Sequence, residues 1–199
     1  MANFESLASA ATSVERFLNA CFQDGGPVSN GTTARASLVT TEDFETPGGL
    51  GARIPGFGIS IFPFRIELNR VMRPAWSAAG SRSGRGHLPL DLHLLLTPWG
   101  SSPEYELRVL GRAMQCLEEM PILSGPLLDT SGGWEPADAV QVILGEISPE
   151  EIARTFDSLP HGYKLSVAYL LRVVRVDTAP QPPLEVSTAI ARLRPSVTT

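Results

Sequence analysis

Lysine is almost missing from this chain: Lys164 stands alone, and every other one of the 16 basic residues is arginine. A coding bias accounts for this without any function; bidentate arginine–carboxylate contacts with a partner are the second reading. Cysteine is equally scarce. Cys21 and Cys116 have no metal-ligand spacing and form no disulfide framework, and both fall on apolar faces of helical patterns, which predicts buried free thiols. No apolar run approaches the roughly 20 residues of a membrane-crossing helix. The N-terminus lacks a basic region followed by an apolar stretch, so no secretory leader is expected and the chain reads as made and folded in the cytoplasm. A net charge of −5 argues against a nucleic-acid binder.

Catalytic signatures are missing as well. There is no G-x-S-x-G elbow. Gly48-Gly-Leu-Gly51 and Gly56-Phe-Gly58 do not complete a dinucleotide fingerprint, and Gly80-Ser-Arg-Ser-Gly-Arg-Gly86 lacks the Lys-Ser/Thr ending of a phosphate loop. No cofactor is expected. What remains is an ordinary globular composition: 199 residues, 43% hydrophobic.

The chain is organised around Leu88–Gly100. Leu90, Leu92, Leu94 and Leu96 share one parity; Asp91, His93, Leu95 and Thr97 share the other. This alternation predicts a strand with a core face and a partly polar face, bracketed by Pro89 and Pro98. A helix is predicted from Asn3 to before Asp24-Gly-Gly-Pro27, with Phe4, Leu7, Ala11, Val14, Leu18 and Cys21 at helical spacing. Ala36–Thr41 reads as a short strand, Thr46–Gly58 as an irregular connection, and Gly58–Val71 as a strand that Pro63 marks as an edge or a bulge. Ser102-Pro-Glu104 opens a helix whose stripe is Leu107, Leu110, Met114 and Leu117. Ala139–Ile147 is a strand. Ser148-Pro-Glu-Glu151 is a capping box opening a helix to Leu159, and Leu165–Val176 is the last strand. From Ala179 proline and small residues dominate, so we expect a domain over 1–178 and an extended tail over 179–199. Helices and strands do not alternate strictly. The expected class is therefore α+β, with a largely antiparallel or mixed sheet of about four strands and helices packed on one face.

Two places invite chemistry. His87, Asp91 and His93 share strand parity, but at about 3.3 Å per residue His87 lies some 20 Å from His93 along a strand. Asp91 and His93 are therefore read as a local polar pair or a partner contact; a small metal-binding or hydrolytic domain using them is the alternative. The second place is the connection between Asn69 and His87. It carries Arg70, Arg73, Arg82 and Arg85 with Trp76 among them, and no acidic residue. A connection of that length is commonly either functional or a disordered, solvated loop. A docking arm and a solvated loop stand here as equal readings, with nucleic-acid binding third. In a docking arm Trp76 is the natural anchor, since buried aromatics with arginines dominate interface energetics. These five residues are the interface candidates.

Leu88-Pro-Leu-Asp-Leu-His-Leu-Leu-Leu-Thr97, then Leu110-Gly-Arg-Ala-Met-Gln-Cys-Leu117 with Pro121-Ile-Leu123, and finally Pro160-His-Gly-Tyr-Lys-Leu-Ser-Val-Ala-Tyr169 resemble the terminator, or cap, family of extracellular contractile injection systems of the antifeeding-prophage and virulence-cassette type. The resemblance runs from the first helix to Val176. It implies a tail-terminator-like fold and a non-enzymatic structural protein. It further implies a homohexameric ring that ends the inner tube and anchors the last sheath layer, with tube and sheath proteins as partners. Nucleic acid and membrane insertion have no part in it, and assembly would take place in the bacterial cytoplasm.

Overall fold

The computed structural model describes residues 2–27, 33–76, 86–160 and 162–178. Arg82, Arg85, His161 and the 179–199 tail lie outside these residues. The elements in chain order are α1 (Ser6–Asp24), β1 (Arg35–Leu38), α2 (Thr41–Glu45), α3 (Gly49–Arg53), β2 (Gly58–Leu68), α4 (Arg73–Trp76), β3 (His87–Trp99), α5 (Pro103–Glu119), β4 (Ile122–Ser124), β5 (Ala139–Leu144), α6 (Pro149–Asp157) and β6 (Val167–Asp177). Among the described residues the sheet has six strands in the order β1-β2-β3-β6-β5-β4. Only β1 and β2 run parallel; every other neighbouring pair is antiparallel. The α+β class and mixed sheet agree with the expectation; β1 falls on the short strand read at Ala36–Thr41, and the three-residue β4 helps take the count past the expected four or so.

The leucine-rich strand is central. Its partners overlap unevenly: β2 pairs with Leu90–Trp99, β6 with His87–Leu96. Pro89 and Pro98 each lie where only one neighbour pairs, so neither interrupts a ladder on both sides. Leu92, Leu94 and Leu96 join Ile59, Ile61 and Leu171 in the main core, under α1 and α5. The other face is not simply polar. Leu95 enters a second core with Phe44 of α2, and Ile152 and Phe156 of α6. Helices therefore cover both faces rather than the one face expected, α1 and α5 on one side and α2, α3 and α6 on the other.

Local signals explain the helix starts. Ser148 accepts a hydrogen bond from the Glu151 amide at 3.2 Å, and Glu151 accepts one from the Ser148 amide at 3.0 Å, which completes the capping box. Ser102 caps α5 by accepting from the Tyr105 amide. Thr46–Gly58, expected to be irregular, contains α3, preceded by a turn at Gly48 with φ of +79°. On α1, three serines sit in the core: Ser6 donates to the Arg175 carbonyl and Ser9 to the Asp129 carbonyl, both at 2.7 Å, and Ser13 accepts from the Asp129 amide at 2.7 Å. These bonds make buried hydroxyls tolerable. Phe4 and Leu107, placed on apolar stripes by spacing, are exposed.

Cys21 of α1 and Cys116 of α5 form a disulfide, with their Cα atoms 6.4 Å apart. This corrects the expectation of free thiols. Helical spacing places each cysteine on a buried face, but it does not reveal that those two faces meet.

Candidate interface built on the central strand

β3 is flanked by two irregularities. Opposite Leu94 and His93, β2 supplies Pro63 and Arg65, so Phe64 is an extra residue. Opposite Leu90 and Leu92, β6 supplies Val174 and Leu171, again with one extra residue on the partner strand. Bulges re-aim the side chains beside them. Here they fall next to His93 and Asp91, the two polar residues of the strand.

Asp91 is buried, with 5% of its surface exposed. It receives two charge-assisted bonds from Arg172, from Nε at 3.2 Å and Nη2 at 2.9 Å. Asn69 Nδ2 donates to both its oxygens, at 3.0 and 3.2 Å. The same Asn69 accepts from the Met72 amide at 3.0 Å and closes its backbone on Pro89 and Arg73. Asp91 thus holds the first turn of the 69–87 connection against the central strand. The open hollow over it, about 470 Å³, is lined by Glu67, Asn69, Arg70 and Arg172 among others.

His93 belongs to a different group. Its Nε2 lies 3.5 Å from Glu67 Oε2, too long for a well-formed hydrogen bond, and its ring meets Phe64 edge-on. Burial holds its pKa below the ordinary value, helped by the positive charge of Arg65; Glu67 opposes the shift. Arg65 in turn bridges Glu67 at 3.3 Å and Glu151 at 3.1 Å. The local Asp91–His93 pair expected from parity is therefore replaced by two cross-strand clusters, because each bulge directs one residue to its own neighbours. Among the described residues no group of three His, Cys, Asp or Glu is arranged to hold a metal ion.

The far root of the connection is fastened too. His87 Nδ1 lies 2.6 Å from Asp177 Oδ1, and Asp177 also takes Arg175 Nε at 2.9 Å. Gly86 and Thr178 exchange two bonds, through the Thr178 amide and the Thr178 hydroxyl. Trp76 packs edge-on against His87 with ring centroids 6.2 Å apart. Of the five candidates, Arg70 and Arg73 are exposed and Trp76 is half-buried. Arg73 also reaches the His87 carbonyl at 3.4 Å. The two roots, Asn69–Asp91 and His87–Asp177, lack any sequence motif: each rests on strand register across long separations.

Residues 10–188 match the family model described as the Pvc16 N-terminal domain. No curated protein matches the chain. Among solved structures, the chain is similar to the sheath/tube terminator of a PVC extracellular contractile injection system in its extended state, at 16% identity and a TM-score of 0.51, over 94% of this chain and 65% of that one. It is also similar to the tube-terminating cap of the anti-feeding prophage, at 18% identity and a TM-score of 0.49, over 92% of this chain and 60% of that one. The chain spans less than two-thirds of the length of either. The terminator likeness shows a shared fold.

Proposed function

Because the chain belongs to the Pvc16 N-terminal domain family, we propose that it is a structural cap of a contractile injection system: it terminates the inner tube and anchors the last sheath layer. The observation that carries this reading is the fold, shared with a sheath/tube terminator over 94% of the chain. On this reading residues 1–178 are the terminator domain and 179–199 a separate tail. Six copies form a ring by head-to-tail contacts that close on rotation. The ring is built in the bacterial cytoplasm on a particle that later acts outside the cell. The role requires shape and adhesive surfaces, and no catalytic group.

The double-rooted connection is the contact element. Its two roots lie at one end of the central strand, and its sequence is positively charged and bears Trp76. Rigid roots lower the ordering cost of binding, since less freedom is lost when a partner arrives. Arg70, Arg73, Trp76, Arg82 and Arg85 meet tube, sheath or the neighbouring subunit. The test is Arg82→Glu/Arg85→Glu in assembling particles, imaged by electron microscopy. Uncapped or overlong particles are expected; particles of normal length with normal caps contradict the assignment.

A further inference from the structure

β1 pairs with Gly58–Ile61 of β2 and stops at Leu38, where the chain turns into α2. Below that point, among the described residues, no strand pairs with the outer side of residues 62–68 of β2. Proteins usually blunt such an edge with charge, proline or a cover. This one has Pro63 and the Phe64 bulge at its upper end and the charged Arg65 and Glu67 on one face, but Ile66 and Leu68, on the other face, are 54% and 42% exposed. Beside it runs an apolar groove of about 400 Å³, between Leu7, Ala8 and Ala11 of α1 and Pro63, Ile66 and Leu92 of the sheet. Unpaired backbone next to an apolar groove is the arrangement that accepts an added strand: the main chain supplies affinity and the groove selects alternate side chains.

The chain carries a segment of matching pattern. Leu184-Glu-Val-Ser-Thr-Ala-Ile190 places Leu184, Val186, Thr188 and Ile190 at period two, with Glu185, Ser187 and Ala189 between them. Its seven residues equal the seven of the open edge, 62–68.

Geometry decides whose edge it meets. Thr178 is tied to Gly86 at the end of β6, and β3 and β2 lie between β6 and the open slot. Three strand spacings make about 14 Å sideways. Leu68 is level with Leu90, three residues up the sheet from His87, which adds about 10 Å. Six residues from Thr178 to Leu184 span at most about 20 Å when fully extended. Pro180, Pro182 and Pro183 favour a stiff extended spacer. The two offsets make a straight line of about 17 Å, but β3 and β2 lie across it, so reaching the chain's own edge leaves little slack for the detour and needs a reversal around β2.

We infer that residues 184–190 of one copy add as a strand to residues 62–68 of β2 in the next copy, with Val186 and Ile190 in the α1–β2 groove. The exchange links edge to tail around the assembly. It rests on the ring proposed above and names the contact that joins its subunits.

The test uses the full chain carrying Ile66→Cys in one preparation and Val186→Cys in another. Ile66 is exposed, so its replacement leaves the core intact. The two are mixed, oxidised and run without reductant, with native mass spectrometry of the same samples. A reducible two-chain product, at least tenfold more abundant in the mixture than in either preparation alone, is expected. Ile66→Glu and Val186→Glu should each weaken the oligomer at least tenfold. A ring that persists with no cross-link overturns this inference and leaves the cap reading standing. Closure within one chain of the double variant at nanomolar concentration also overturns it, as does cross-linking of the Ile66→Cys chain to added sheath or tube protein instead of a second copy.

Discussion

Asn69 and Asp91, 22 residues apart, are joined by two hydrogen bonds at the buried foot of the arginine-bearing connection. Asn69 spends its carbonyl oxygen on the Met72 amide and its amide group on the carboxylate. Loss of either partner leaves a buried polar group short of bonds, which costs about 1–3 kcal/mol. Asn69→Ala and Asp91→Ala should each destabilise by that amount in urea unfolding. The double variant should fall short of the sum, with a coupling of about 0.5–3 kcal/mol. Additive effects would mean the two act independently.

Arg172 is 45% exposed at its side chain while Asp91 is 7% exposed, so the pair is lopsided. Removing Arg172 exposes no new buried cation but leaves a buried carboxylate supported by Asn69 alone. Arg172→Ala is expected to cost about 1–3 kcal/mol, below the 3–5 of a fully buried pair because solvent screens the guanidinium. Arg172→Met in an Asp91→Leu background should recover most of this; failure to recover would point to packing lost with the arginine stem.

His93 gives a pH signature. Its folded pKa lies below the ordinary 6.5 because of burial first and Arg65 second. The unfolded chain therefore binds the proton more readily, and stability is fully present above about 6.5 and is lost as pH falls through the folded value. Asp43 and Asp129 are also lowered, the first chiefly by the Thr40 amide and the second by Ser131. Their losses come only below the ordinary 3.8. Between pH 7 and 5, then, the melting temperature should drop and His93→Gln should flatten the drop. Arg65, Glu67 and Asp91 are the charged groups acting on that ring, and Glu67→Gln should steepen the drop by removing the favourable carboxylate.

The disulfide joins residues 95 apart, so it closes a long loop in the unfolded chain. The chain-entropy model assigns such a loop about 4–5 kcal/mol, with measured bridges often giving less. Cys116→Ser should lower the urea midpoint, and reductant should lower the wild type to nearly the same point. Equal stability of oxidised and reduced protein would show that the bridge contributes nothing.

Gly58 is a steric gate for β1. A Cβ there would collide with the Arg35 carbonyl and the Ile54 side chain. Gly58→Ala should detach β1 from β2, read as faster hydrogen exchange at Val39, whose amide is bonded to Ile61. Unchanged exchange there would contradict the steric role.

Much of this was legible in the sequence. The leucine parity of β3, the Ser148 capping box and the Pro63 irregularity all appear where local periodicity put them, because each depends on a few neighbouring residues. The Asp91 and His93 partnerships were not legible. They depend on two bulges that shift register by a residue, and on Asn69, Glu67 and Arg172 arriving from adjacent strands. The Cys21–Cys116 link failed to show for the same reason, being a contact between two helices. Spacing alone also does not show that the α1 serines are buried, since the acceptors of Ser6 and Ser9, on Arg175 and Asp129, are remote in sequence. The Arg70–Trp76 candidates were found by composition, and their roots only by structure.

The central claim is that this chain ends a tube. Purified tube protein should be polymerised with and without the full chain, and tube lengths and ends measured by cryo-electron microscopy. The account predicts shorter, narrowly distributed tubes with ring-shaped density of this protein at one end. An unchanged length distribution with bare ends on both sides would contradict it.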